Sequence, residues 1–239
     1  MKKLVILLLS GTLIFSFISC ENSNKSIKRM QKLEENVQNP QSIEEIQDAI
    51  KKYTDRVNDI VLAQEQIGIW YKMLGSRYVD KKMYGEALKA YQSALEYFPA
   101  NQNLYYWVGV CAGFMAKASL DFNGSGSKEI SLNYIKLAEE SYKRAVELDE
   151  RYERAWYGLG VIYSYEMDEY EKAVVCFEHA LEISTQSIDT MFNLARAYYG
   201  AYEFDKSAEM YDKIISITKS QSTKAQAEEL KKQALDAAY

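Results

Sequence analysis

The strongest constraint on how this chain folds is a pattern of large and small side chains that returns four times in one frame. It first reads Tyr71-x-x-Leu74-Gly75-x-x-Tyr78, with Ala87 twelve residues after Gly75, then Tyr91, Ala94 and Pro99. It returns as Tyr105, Val108, Gly109 and Ala112 with Ala138, Tyr142 and Ala145. The third copy is Trp156, Leu159, Gly160 and Tyr163 with Ala173, Phe177 and Ala180. The fourth is Met191, Leu194, Ala195 and Tyr198 with Ser207, Tyr211 and Ile214. Spacings of three, four and seven place each group on one face of a helix. Each copy therefore predicts a pair of helices whose small residues face each other and let the axes approach, while the large ones fill the gaps between hairpins.

The spacings say which joint is rigid. From the second-helix small residue to the next first-helix small residue the count is 22 each time: Ala87 to Gly109, Ala138 to Gly160, Ala173 to Ala195. Within a hairpin it is 12, 29, 13 and 12. Stacked repeats bury their core against their neighbours, so the joint that sets the stack is fixed and the turn inside a hairpin tolerates insertion. Two Pro and 11 Gly in 239 residues agree with helix throughout. Counting 22 back from Gly75 reaches Tyr53, with Val57 and Ile60 on the same face. A helix over about 43–65 is expected in the slot before the first repeat, opened by the capping box Ser42-x-x-Glu45. A last helix over 222–238, with Ala227, Leu230, Ala234 and Ala237 on one face, is expected to close the far end.

This frame resembles the tetratricopeptide repeat (TPR): aromatic-x-x-Leu-Gly-x-x-Tyr on a first helix, Ala-x-x-x-Phe-x-x-Ala on a second, and a closing Pro. Ala195, Ser207 and Ile214 depart from it with size-compatible residues. The resemblance implies an all-α, TPR-type α-solenoid, a right-handed superhelix of antiparallel helix hairpins with N- and C-terminal flanking helices. Its repeats would cover about 68–101, 102–151, 153–187 and 188–220 of a domain spanning 41–239. It also implies a groove lined by first helices, with partners met at the fifth, ninth and twelfth repeat positions and the second at the rim. The fifth positions are Lys72, Tyr106, Tyr157 and Phe192, and the ninth are Ser76, Val110, Val161 and Arg196. The twelfth are Val79, Gly113, Ser164 and Tyr199, and Arg154 is a second position. Tyr106, Tyr157 and Phe192 would form an aromatic ladder, since such rings give contact area at low entropic cost. Lys72, Arg154 and Arg196 would pair with acidic groups of a bound peptide or helix. The competing reading is that these aromatics pack on one another or on the N-terminal helix. Ser76, where a carboxylate-clamp TPR has Asn, speaks against recognition of a chaperone tail.

The first nineteen residues are a module of their own. Lys2 and Lys3 precede an almost wholly apolar run over Leu4 to Ile18, the layout of an export signal. Its length is short of the roughly 20 residues that span a bilayer. Phe17-Ile18-Ser19-Cys20 resembles a relaxed bacterial lipobox. That implies removal of 1–19 and lipidation of Cys20, the alternative being an ordinary signal peptide or uncleaved anchor that happens to hold a Cys. Two or three acyl chains, at about 0.8 kcal/mol per buried CH₂, hold a protein firmly at a membrane. Residues 20–40 then read as the lipidated Cys and a polar tether ending at Pro40, spanning on the order of 25 Å. The expected location is the bacterial cell envelope, on the periplasmic or outer face of a membrane.

Loss of Lys2 and Lys3 takes the basic residues from 29 to 27 against 34 acids, so the net charge moves from −5 to −7. No basic patch suggests nucleic acid. Cys111 and Cys176 fall on non-adjacent helices of the repeat register and are expected as separate buried thiols. His179 is the only His and has no metal-ligand companions. The 17-residue insertion around Leu120–Asn133 carries Asp121-x-Asn123-x-Ser125-Gly126, which resembles the start of a calcium loop, but the twelfth position is Leu132 where a Glu is needed. It is expected to be a turn with Ser127 capping a lengthened second helix, or a partner-contacting loop. No catalytic residue, metal or cofactor is expected. The function expected is a scaffold or adaptor for an unidentified protein or peptide of the cell envelope. The alternative is an accessory lipoprotein that binds a small ligand for a solute transporter, which an enclosed pocket lined by Tyr106, Tyr157 and Phe192 would favour.

Overall fold

A computed structural model describes residues 42–121 and 126–238. The expected signal, the lipidation site Cys20 and the tether lie outside the described residues. Among those described there are nine helices: α1 (Ile43–Asp80), α2 (Tyr84–Tyr97), α3 (Gln102–Leu120), α4 (Ser127–Leu148), α5 (Glu153–Tyr165), α6 (Tyr170–Ile183), α7 (Ile188–Gly200), α8 (Phe204–Ile217) and α9 (Gln221–Ala238). The chain divides into two units, one ending at Leu62 and the other beginning at Ala63.

The described part of the first unit is the start of α1. The capping box forms as the sequence reads: the Glu45 N–H donates to Ser42 Oγ (3.1 Å), and the Ser42 N–H donates back to Glu45 Oε2 (3.2 Å). The expected helix boundary near 65 is not there, because α1 is unbroken from Ile43 to Asp80. No Pro interrupts it, and Gly68, the one helix breaker nearby, serves packing instead. A Cβ at Gly68 would fall 2.5 Å from the Phe98 ring and 2.7 Å from Tyr97 Cβ.

The second unit is built from hairpins stacked in chain order. Each helix packs on the next from α2 to α9, and among the first helices α3 also touches α5 and α5 touches α7. The hairpin seam depends on side-chain size. A Cβ at Gly75 would come within 2.8 Å of the Tyr91 ring, at Gly109 within 2.7 Å of Tyr142, and at Gly160 within 2.7 Å of Phe177. The motif glycine thus makes room for the motif aromatic of its own hairpin. Tyr142 is held from both sides, because a Cβ on Gly158 of the next hairpin would also meet its ring at 2.7 Å. The fourth hairpin solves the seam differently: Ser207 Oγ donates to the Ala195 carbonyl oxygen at 2.8 Å, with both residues fully buried.

The within-hairpin turns explain the variable count. In the first and fourth repeats the helix ends in a Schellman turn. Met83 N–H donates to Tyr78 O (2.9 Å) and Lys82 N–H to Val79 O (2.8 Å); Glu203 N–H donates to Tyr198 O (2.8 Å) and Tyr202 N–H to Tyr199 O (3.1 Å). Lys82 and Tyr202 take the left-handed conformation, at φ 58° and 62°. In the third repeat Glu169 N–H reaches Tyr163 O (2.9 Å), one residue further along, which is the extra residue in the count of 13.

The insertion is taken up largely as helix. α3 has 19 residues and α4 has 22, against 13 in α5 and α7 and 14 in α2, α6 and α8. Lengthening of α4 was expected and that of α3 was not. Ser127 is not the cap: Gly126, in the left-handed region at φ 101°, holds that position without a side-chain hydrogen bond. Residues 122–125, with most of the calcium-like motif, lie outside the described residues. Cys111 and Cys176 are free and buried, and burial pushes each thiol up to about 12. α9 seals the stack through the fully buried Ala227 and Ala234, with Lys231 paired to Asp212 of α8 at 2.7 Å; Ala237 is exposed. No described helix is long and apolar enough to cross a membrane.

Candidate binding cleft

The fourth repeat opens a cleft of about 770 Å³ between α5, α7 and α9. Four of the residues singled out from the sequence line it: Tyr157, Phe192, Arg196 and Tyr199. They reach it because a first helix presents its fifth, ninth and twelfth positions on one face. Tyr157 and Phe192 form its apolar floor. Each leans on a core aromatic of a second helix, Tyr157 on Phe177 (centroids 5.7 Å apart) and Phe192 on Tyr211 (6.0 Å).

The polar side of the cleft is a short network around Asn193. Its Nδ2 donates to Tyr157 Oη (3.0 Å) and to the Asp189 carbonyl (2.9 Å), and its Oδ1 accepts from Tyr165 Oη (2.7 Å). The amide of α7 therefore fixes two tyrosine rings of α5, two turns apart. Burial, reinforced by the negative charge of Asp189, raises the Tyr157 hydroxyl above its ordinary pKa, so it stays a neutral donor and acceptor. Arg196 sits over Tyr165, its guanidinium carbon 4.1 Å from the ring centroid. Among the described residues no carboxylate pairs with it. The cleft thus offers an aromatic floor, fixed hydroxyls and one unpaired cation.

The remaining residues of the expected groove lie elsewhere. Tyr106 does not extend the ladder into the cleft. Its ring packs edge-on against Trp107 (5.3 Å) and Tyr152 (5.6 Å) and tilts against Tyr142 (6.0 Å). Arg154 covers that ring at 5.1 Å. Val110 and Val161 are half-buried against the main core, while Lys72 and Ser76 are exposed. Ser164, expected to face a ligand, is 1 % exposed. Conversely, the sequence reading missed Tyr165, Tyr170, Asn193 and Tyr211, and the α9 wall formed by Gln226, Leu230 and Gln233. One signal was available: Asp189, at the rim, holds the same second repeat position as Arg154.

His179 lies outside this cleft and lines a second one, of about 660 Å³, with Trp156, Glu147, Arg151 and Glu182. It is exposed, stacks on Trp156 (4.5 Å) and lies 3.5 Å from Glu182. No group of three or more His, Cys, Asp or Glu side chains that could hold a metal ion occurs among the described residues. Glu139, on the outer side of α4, accepts from Lys143 and Tyr163. Burial alone would raise its carboxyl, but those hydrogen bonds outweigh it and hold the pKa below the ordinary value.

Three family models described as tetratricopeptide repeat match residues 72–112, 153–187 and 189–217. A search of curated proteins found no match. Among solved structures, the chain is similar to YrrB, described as a TPR protein with an unusual peptide-binding site. Identity is 22 %, over 75 % of this chain and 87 % of that one, with a TM-score of 0.54. It is also similar to MamA (residues 41 to the end) from Desulfovibrio magneticus RS-1, at 14 % identity over 71 % of this chain and 94 % of that one, again with a TM-score of 0.54. At these identities the likeness concerns the fold alone. The protein is thus an all-helical, TPR-type α-solenoid that carries recognisable tetratricopeptide repeats.

Proposed function

We propose that this chain is a membrane-anchored, non-catalytic scaffold of the bacterial cell envelope that holds a partner peptide or helix in the cleft between α5, α7 and α9. The observation that carries this reading is the combination, in one cleft, of the aromatic floor Tyr157 and Phe192 with the unpaired Arg196. An apolar surface with a few placed polar groups favours an extended or helical segment carrying aliphatic or aromatic side chains beside a carboxylate. TPR architecture is commonly used for protein–protein contact, and the structural neighbour YrrB is itself described as having a peptide-binding site. Both support a protein partner.

The test uses residues that do not support the core. Arg196 and Tyr199 are exposed, so a Tyr199→Ala/Arg196→Ala variant is expected to keep its melting temperature. It is expected to lose the partners that the unsubstituted chain captures from membrane extracts. Capture of the same partners at unchanged yield would remove the cleft from consideration.

The anchoring rests on the Phe17-Ile18-Ser19-Cys20 segment. Cys20→Ala is expected to abolish lipid labelling and move the protein out of the membrane fraction; persistent labelling would reject that part. A cleft of about 770 Å³ also lies within the range of roughly 300–1,000 Å³ typical of small-ligand sites. That keeps a second reading, an accessory protein for a small acidic ligand of a transporter, which saturable binding of such a compound to the purified chain would favour. Tyr106, which that reading required as part of the lining, is not in the cleft.

A further inference from the structure

The start of α1 carries a second pattern, unrelated to the repeats. Ile43, Ile46, Ile50, Tyr53, Val57 and Ile60 follow one another at steps of three, four, three, four and three. All six are between 40 and 72 % exposed. Alternating steps of three and four are a heptad register, with Ile43, Ile50 and Val57 at a and Ile46, Tyr53 and Ile60 at d. The stripe is narrow. A helix that packs on a globular core shows a broad apolar face that also takes in e or g, whereas a strict a and d stripe is a coiled-coil seam. Here the flanking positions are Gln47, Ala49, Thr54 and Arg56, and only Val61 at the end of the stripe is apolar and large.

The charges indicate what closes the seam. Glu44, Glu45, Asp48, Asp55 and Asp59 all fall at the outward b, c and f positions, as do Lys51 and Lys52. Arg56 alone flanks the seam. A different partner helix is normally selected by charge pairs at e and g, and this segment presents almost none. A helix lying on a lipid surface has a polar face rich in Lys and Arg, and this face carries five acids against three bases. A second copy of the segment meets every requirement. It has the same spacing, it offers apolar residues to apolar residues, and its carboxylates point away from the contact. The geometry points to self-association of the chain through residues 43–60, forming a parallel coiled coil about 27 Å long. β-Branched residues at every a position and at two of the three d positions, Tyr53 being the third, favour three or more strands over two.

The test uses the full-length chain in detergent. Val57→Cys places a thiol on the seam, and Asp55→Cys places one two residues away on the outer face of the same helix; neither change opens a cavity. Under mild oxidation Val57→Cys is expected to give a covalent pair of chains at several times the yield of Asp55→Cys, which should match the unsubstituted protein. Equal yields from the two positions, or none from Val57→Cys, would overturn the proposal. In a second measurement, Ile50→Asp/Val57→Asp is expected to reduce the sedimented mass from a multiple of the chain to a single chain, with the melting transition of the repeats unchanged. A single-chain mass for the unsubstituted protein, or a loss of vesicle binding in place of a change in mass, would also overturn it.

Discussion

Tyr106 and Tyr157 hold the same position in successive repeats, yet one is closed over and the other open. Around Tyr106 the next loop supplies Tyr152, whose hydroxyl accepts from Asn103 Nδ2 at 3.2 Å, and Arg154 covers the ring. Around Tyr157 the next repeat supplies Asn193, a small polar group that fixes the hydroxyl and leaves the ring face accessible from the cleft. Both regions contain an arginine over a tyrosine, at 5.1 Å for Arg154 and 4.1 Å for Arg196. The family position therefore determines where a side chain points, and the residue that follows it one repeat later determines whether anything else can reach it.

The comparison can be broken most severely at Tyr142, which supports the closed side between Gly109 and Gly158. Its ring is 6 % exposed, and truncation of a buried aromatic costs about 3–5 kcal/mol. Tyr142→Ala should lower the unfolding free energy of the stack, read from denaturant titration, by that much; a loss under about 1 kcal/mol would mean that the closed side is not packed as described. A charge reversal sharpens the contrast without touching the core. Arg196→Glu is expected to weaken partner capture by at least about tenfold, or roughly 1.4 kcal/mol, while Arg154→Glu leaves it unchanged. Equal losses from both would show that closed and open sides bind alike. The smallest expected effect is at the turn bordering the open side. Tyr202 is left-handed at φ 62° and 82 % exposed, so Tyr202→Gly should gain about 0.5–1 kcal/mol in thermal stability by relieving that strain. A loss would show that its ring, 6.1 Å from Phe204, contributes more than the backbone strain costs.

The sequence made the frame of the stack legible because close packing leaves little choice. Where Tyr91, Tyr142 and Phe177 must fit, only Gly75, Gly109 and Gly160 leave room. The capping box at Ser42 was legible for a similar reason, since both partners are four residues or less apart. Contacts set by three helices at once were not. Tyr165 and Asn193 meet across two repeats, and Leu230 joins them only because α9 packs on α8. The unbroken α1 was missed because the repeat frame starts its first helix at about residue 68, and nothing in that frame shows that the preceding helix runs into it without a turn. The 22-residue count that led back to Tyr53 found a genuine apolar face, but the same residues also satisfy a heptad, and counting alone does not separate the two.

The bond between Ser207 and Ala195 bears on how worn repeats should be compared. Scored position by position, the fourth repeat has two faults at its seam, an Ala for Gly and a Ser for Ala. In space the second is no fault, because the Ser207 hydroxyl, too polar to be left alone in a buried site, is satisfied by the backbone carbonyl of residue 195, an acceptor that any residue there offers. A repeat can therefore carry a hydroxyl in its buried seam while its geometry stays where it was.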